Sequence, residues 1–211
     1  MDVLKALSEI GVVPVIKLTD VSKAEKLAEA LVAGGVPCAE VTFRAAGADE
    51  AIRRMRAACP ELLVGAGTVL KVEQAEAALD AGAQFLVSPG TNPEVVRYTQ
   101  SRGSLIIPGV MTPTEIEQAL SLGLTTVKFF PAGQAGGVPM LKALSAPYSG
   151  VKFVPTGGVD LKNLASYLEL PCVAAVGGTF MVTSALLDAD DFDGITALCR
   201  AAAVIVKASR K

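Results

Sequence analysis

Histidine is absent from all 211 residues. That removes the imidazole base of Ser–His–Asp and Cys–His centres, and most zinc sites with it. The four cysteines, Cys38, Cys59, Cys172 and Cys199, follow no metal-ligand or redox spacing. They are expected as free thiols packed mostly in or near the core. No block of like charge stands out, and 19 Lys and Arg against 21 Asp and Glu leave a net charge of −2. Nucleic acid therefore has no electrostatic footprint to follow. No apolar run is long enough to span a bilayer. The opening MDVLKALSEIG has neither the cationic flank nor the long apolar stretch of a signal peptide. These absences predict a cytoplasmic protein without a membrane, nucleic-acid or metal partner.

What is present is a repeat. Half the chain is apolar (51%), enough for a large core. Short apolar runs ending in Gly, Pro or Thr recur with a period of roughly 25 residues, the size of a βα unit. They read as strands at Val12–Leu18, Cys38–Arg44, Leu62–Val69, Phe85–Gly90, Leu105–Val110, Thr126–Ala132, Lys152–Gly158 and Val173–Thr179. Alanine-rich amphipathic segments such as VSKAEKLAEALVAGG and VEQAEAALDAGA lie between them. Gly34-Gly35, Gly82, Gly103 and Gly123 are expected to close helices in left-handed backbone. Thr112-Pro113-Thr114-Glu115 reads as a capping box with Pro at the first helical position, and Asn92-Pro93 and Asp160 as further N-caps. A helix around Val3–Ile10 precedes the first strand and should cover the N-terminal end of the sheet. The series predicts one domain, 1–211, folded as an α/β (β/α)8 TIM barrel with an extra N-terminal helix; a doubly wound open sheet is the alternative.

Alternation within strands then singles out polar residues where a barrel should be apolar. In CAEVTFR, Val41 and Phe43 suit the helix-facing side, leaving Glu40, Thr42 and Arg44 inward. A buried structural ion pair would explain two inward charges, but such a pair is weak evidence for stability; a solvated, substrate-filled mouth explains them better. In TVKFFPA, Val127 and Phe129 share one side, and Lys128 and Phe130 the other. A lone inward lysine either pairs with a carboxylate, snorkels, or is held toward its neutral, nucleophilic form. Burial and a cation such as Arg44 favour the neutral amine, and Glu40 opposes them. Lys128 is therefore the candidate nucleophile and Glu40, across the mouth, the candidate proton shuttle. Two glycine pairs, in Pro155-Thr156-Gly157-Gly158 and Gly177-Gly178-Thr179, end the seventh and eighth runs. Tight turns use such pairs too, but in this fold the loops at those ends commonly hold a phosphate on backbone N–H groups.

The pieces EVTFR, VGAGTV, SPG, VKFFPA, PTGG and GGT, in this order, resemble the 2-keto-3-deoxy-6-phosphogluconate and 4-hydroxy-2-oxoglutarate (KDPG/KHG) aldolase family over nearly the whole chain. The resemblance implies a class I aldolase, with no cofactor beyond the lysine Schiff base. Its substrate would be 2-dehydro-3-deoxy-6-phosphogluconate, cleaved into pyruvate and glyceraldehyde 3-phosphate in the Entner–Doudoroff pathway. It also implies a homotrimer. By motif, Lys128 is the Schiff-base lysine and Glu40 the acid–base group, while Arg44 and Thr68 look like carboxylate binders. Pro89, Phe130 and Thr156 look like pocket walls, and Gly157, Gly158, Gly178 and Thr179 like phosphate contacts. Thr179 stands where many relatives carry Ser, which keeps the hydroxyl. Phe43 stands where Leu is common, on the helix-facing side.

Three competing readings remain at this level. One is the phosphogalactonate version of the enzyme, against which only Thr156 speaks. Another is a metal-assisted aldolase, disfavoured by the missing histidine and the scarcity of carboxylates at strand ends beyond Glu40. The third is a phosphometabolite-binding barrel without catalysis, disfavoured by the joint presence of Lys128 and Glu40.

Overall fold

Every strand pairing in the computed structural model, which describes residues 2–210, is parallel. The strands are β1 (Val12–Ile16), β2 (Cys38–Thr42), β3 (Leu63–Gly67), β4 (Phe85–Val87), β5 (Leu105–Ile107), β6 (Gly109–Val110), β7 (Thr126–Phe129), β8 (Lys152–Pro155) and β9 (Val176–Gly178). They form a six-stranded sheet in the order β5-β4-β3-β2-β1-β9 and a three-stranded sheet in the order β6-β7-β8. Single bridges, Phe153 with Val173 and Thr156 with Gly177, join the two. The result is a parallel α/β fold with a curled sheet. Of the span 1–211 expected as one domain, Met1 and Lys211 lie outside the described residues.

Each expected strand is found, most of them shorter than expected. The runs overreached because the Gly, Pro and Thr that end them leave the ladder to form loops. The run Leu105–Val110 is broken at Pro108, which has no N–H to donate; its carbonyl instead accepts from Lys128 N–H at 2.8 Å. That break makes nine strand segments out of eight runs.

Two layers of apolar residues result from the alternation. Ala39, Val41, Val127 and Phe129 join the large cluster under the helices, and Phe43 packs against it. The other faces of the strands meet in a smaller inner cluster with Val13, Cys38, Leu63, Phe85 and Val154. The helix Val3–Ile10 plugs its end. Asp2 caps that helix through the N–H of Lys5 and Gly11 closes it in left-handed backbone (φ 76°), while Leu7 is buried within the inner cluster. Burying such a leucine is worth about 1.5–3 kcal/mol, so the N-terminal end is sealed and the opposite end is left for a site.

The caps follow the sequence with two corrections. Thr112 and Glu115 form the full capping box of the helix Pro113–Ser121, and Asn92 caps Pro93–Ser101. Gly35, Gly82, Gly103 and Gly123 are left-handed, but Gly34 is an ordinary right-handed residue (φ −78°). The left-handed step falls one residue later than the pair suggested. Asp160 does not cap the helix Leu164–Leu168: its carboxylate accepts from Lys162 and Asn163 N–H and orders the turn before it. Cys38, Cys59 and Cys199 are buried and Cys172 is partly exposed, all as free thiols. Among the described residues no helix is long and apolar enough to cross a membrane.

Candidate active site

The polar inward residues converge on one pocket at the C-terminal ends of the strands, with a volume of about 210 Å³. Glu40 and Lys128 form its floor, 3% and 5% exposed. Lys128 Nζ lies 3.6 Å from Glu40 Oε1 and 5.1 Å from the centre of the Phe130 ring. That separation exceeds an N–H···O hydrogen bond, so the contact is one of charge. Glu40 Oε1 is buried and has no hydrogen-bond partner among the described residues. A buried carboxylate oxygen without a donor is costly, and a site that tolerates one keeps an acceptor ready. The two side chains were expected to face each other across the mouth; they are neighbours on its floor instead. The carboxylate facing Lys128 is Glu40, and Arg44 forms no ion pair with it.

Arg44 lies higher on the wall. Its Nε donates to Thr42 Oγ1 at 3.2 Å, and that hydroxyl donates to the Ile16 carbonyl at 2.8 Å. Among the described residues Arg44 has no ion-pair partner. Thr68 lines the pocket beside it by a backbone device. Gly65 and Gly67 face inward, while Ala66 and Val69 belong to the outer cluster. Simple alternation would send Thr68 outward with Ala66. Its backbone is left-handed instead (φ 56°), which turns the side chain in. A β-branched residue rarely adopts that conformation.

Pro89 and Phe130 form the walls. Gly109 lets β6 pass close to the loop carrying Pro89, since a methyl there would collide with the Pro89 carbonyl. Thr156 follows β8 into the pocket, 5% exposed, its hydroxyl against the Val154 carbonyl at 3.3 Å. Gly177 makes room for that hydroxyl from the next strand.

The glycine turns at the ends of β8 and β9 line the same pocket. Gly157 and Gly158 have φ of 93° and 72°. Their carbonyls accept from Gly133 N–H and Asn163 Nδ2, both at 2.9 Å. The Gly158 N–H has no partner among the described residues, while the bridge of Thr156 with Gly177 turns the Gly157 N–H toward the Gly177 carbonyl. Gly178 and Thr179 complete this side. Every residue expected at the site lines this one pocket. Two were missed, Val15 and Val159. Val15 was within reach of the alternation rule, because Val13 and Val15 share the inward face of β1. Val159 follows the second glycine of PTGG and carries no chemical signal of its own.

Beneath the floor, burial and then the Glu40 charge push the Cys38 thiol far up from its ordinary pKa. It stays protonated and does not compete with the amine. No group of three or more His, Cys, Asp or Glu placed to hold a metal occurs among the described residues.

A buried lysine facing a carboxylate at the C-terminal mouth of a parallel α/β sheet suits the class of enzyme that works on a carbonyl with an amine. Comparison with known proteins gives the particular family. A model described as KDPG and KHG aldolase matches residues 3–198. The 2-dehydro-3-deoxy-phosphogluconate aldolase of Treponema pallidum is 50% identical over 204 residues, 97% of each chain. A KDPG aldolase structure from Legionella pneumophila, with pyruvate captured at low pH as a covalent carbinolamine intermediate, superposes with a TM-score of 0.91 at 41% identity, covering 94% of this chain and 97% of that one. The Zymomonas mobilis 2-keto-3-deoxy-6-phosphogluconate aldolase, solved with 3-phosphoglycerate, gives a TM-score of 0.89 at 36% identity, covering 96% and 95%. The chain belongs to the KDPG and KHG aldolase family.

Proposed function

We propose that the chain is a class I aldolase that reversibly cleaves 2-dehydro-3-deoxy-6-phosphogluconate into pyruvate and glyceraldehyde 3-phosphate through a Schiff base on Lys128, without a cofactor. The observation that carries this reading is the 3.6 Å approach of Lys128 to Glu40 on a buried pocket floor.

The neutral amine of Lys128 adds to the C2 ketone and forms a carbinolamine. Loss of water gives a protonated imine, which withdraws electrons from C3. The C4 hydroxyl then gives up its proton, the C3–C4 bond breaks, and its electron pair goes into an enamine of pyruvate as the aldehyde leaves. Protonation at C3 and addition of water to the imine release pyruvate and restore the amine. Covalent catalysis divides one hard cleavage into easier steps. Glu40, whose inner oxygen is unengaged, carries each proton directly or through a water. Arg44 and Thr68 hold the substrate carboxylate, for which an unpaired guanidinium offers two parallel donors. Pro89 and Phe130 flank the pyruvate portion, and Thr156 lies along the remaining chain. The Gly157-Gly158 turn, through its free Gly158 N–H, with Gly178 and the Thr179 hydroxyl, takes the phosphate. The relatives solved with pyruvate and with 3-phosphoglycerate support both ends of this placement.

The two sheets belong to one closed (β/α)8 barrel and one domain, 1–211. The bridges from β8 to the β9 segment support closure on one side, and the single residue Pro108 between β5 and β6 on the other. The enzyme works in the cytoplasm, in the Entner–Doudoroff pathway, as a homotrimer.

Treatment with pyruvate and borohydride tests the central step. The reduced pyruvyl adduct is expected on Lys128; a peptide map that puts it on another lysine overturns the assignment.

A further inference from the structure

Beside the Glu40 carboxylate stands a residue with no side chain. Gly67 ends β3 and pairs with Thr42, two residues beyond Glu40 on β2. A methyl group on its Cα would land on Glu40 Oε1 and come within 2.7 Å of Cγ and 2.8 Å of Cδ. Carbon atoms in ordinary contact sit about 3.5–4.0 Å apart. Gly67 is extended strand, and its φ is not in the left-handed region. Its backbone therefore suits any residue, and what glycine supplies here is space. The three atoms nearest that space all belong to Glu40. On its other sides Glu40 meets Lys128 and an apolar floor that includes Phe85, Val87 and Val154.

We propose that Gly67 is a positioning residue whose bare Cα sets where the Glu40 carboxylate rests against Lys128. The proposal rests on Glu40 being the proton carrier. Alanine at position 67 suits the strand backbone and displaces the carboxylate from its seat by about 1 Å, and misplacement on that scale costs up to about 100-fold in rate.

The test is a double-mutant cycle of Gly67→Ala in the wild-type and Glu40→Ala backgrounds. It reads pyruvate C3 proton exchange into deuterated water, kcat and KM for cleavage, and heat stability. In the wild-type background exchange and kcat should fall roughly 10–100-fold. KM should hold within about threefold, because carboxylate and phosphate contacts lie elsewhere, and borohydride trapping on Lys128 should persist. In the Glu40→Ala background the same substitution should change exchange by less than about twofold. Near-normal exchange in Gly67→Ala, an equal loss in both backgrounds, or a loss expressed in KM each overturns the proposal. If Gly67→Ala is too unstable to assay, heat stability decides: a penalty that disappears in Glu40→Ala supports the seat, and one that remains overturns it. Near-normal exchange in Glu40→Ala alone sinks the proton-carrier reading instead, and the stability cycle still reports whether the two residues compete for one space.

Discussion

Lys128 and Glu40 come from strands 88 positions apart in the chain and meet on one floor. Each alone would be an uncompensated charge among apolar neighbours; together they offset one another and leave an oxygen free to accept. Glu40→Gln keeps the shape and removes the base. If Glu40 only balanced the lysine, the change would alter stability and pH dependence and leave proton transfer intact. As the proton carrier, it should lose about 10²–10⁴-fold in cleavage and in pyruvate C3 exchange, with a folded protein and slower but detectable trapping. Exchange near the wild-type rate would assign the proton to another group. At the far end of the pocket, Thr179→Val removes one hydroxyl beside the Gly157-Gly158 turn. Binding energy at the phosphate assists the reacting carbon, so kcat/KM should drop for the phosphorylated substrate and much less for 4-hydroxy-2-oxoglutarate. Equal losses would contradict the placement. Alternation alone exposed Glu40, Arg44 and Lys128. It could not give the distance between Glu40 and Lys128, which depends on how the sheet curls. Nor could it give Thr68, whose left-handed backbone breaks the rule; there a shared motif carried information that periodicity does not hold.

Among the elements, the helix Pro113–Ser121 is the one most fully written in its sequence. Thr112 accepts from the N–H of Glu115, and the Glu115 carboxylate accepts from the N–H of Met111 at 2.7 Å and of Thr112 at 2.8 Å. Burial acts to raise the Glu115 pKa, but these backbone donors outweigh it and hold the carboxyl below its ordinary value. A carboxyl depressed in the folded state contributes stability above its unfolded pKa, and loses it as pH falls through the folded one. The stability gap between wild type and Glu115→Ala should therefore be full at neutral pH and begin to close below about pH 4.3. Thr112→Ala should cost about 0.5–2 kcal/mol in denaturant unfolding. A gap independent of pH would show that the carboxylate is not the group responsible. Most strand starts were legible for a related reason, since apolar runs begin where helix-closing glycines end; β9, with no such glycine before it, begins at Val176 and not at Val173. Strand ends were not. Thr, Gly and Pro serve equally as last rungs and first loop residues, as Leu105–Val110 shows by breaking at Pro108.

For the whole molecule, eight near-equal units announced a parallel α/β architecture, because only stacked βα repeats bury such a pattern. Assembly is not written in that period. Leu70 and Met111 are large apolar residues exposed at 53% and 41%. Leu70 and the strand before Met111 are held to one loop: Asn92 Nδ2 donates to the Leu70 carbonyl at 3.2 Å, and Thr91 Oγ1 to the carbonyl of Gly109, two residues before Met111, at 3.0 Å. Such a pair beside the mouth suits contact with further copies of the chain. Sedimentation equilibrium should give three times the chain mass, and Leu70→Asp with Met111→Asp should lower it. A monomer in the wild type would refute the trimer.

The left-handed turn at Thr68 places heat resistance and the proposed grip on the substrate carboxylate under one dihedral angle. Holding a β-branched residue there costs about 1–3 kcal/mol, and asparagine is far more at ease in that conformation. For a chain of this size each kcal/mol is worth about 2–4 °C of melting temperature. A laboratory lineage selected only to survive heating would therefore find position 68 early. It would gain several degrees and give up the threonine hydroxyl beside Arg44. Selection for turnover would run the other way, and thermal tolerance recovered elsewhere in the molecule would have to compensate for the strain retained at this one residue.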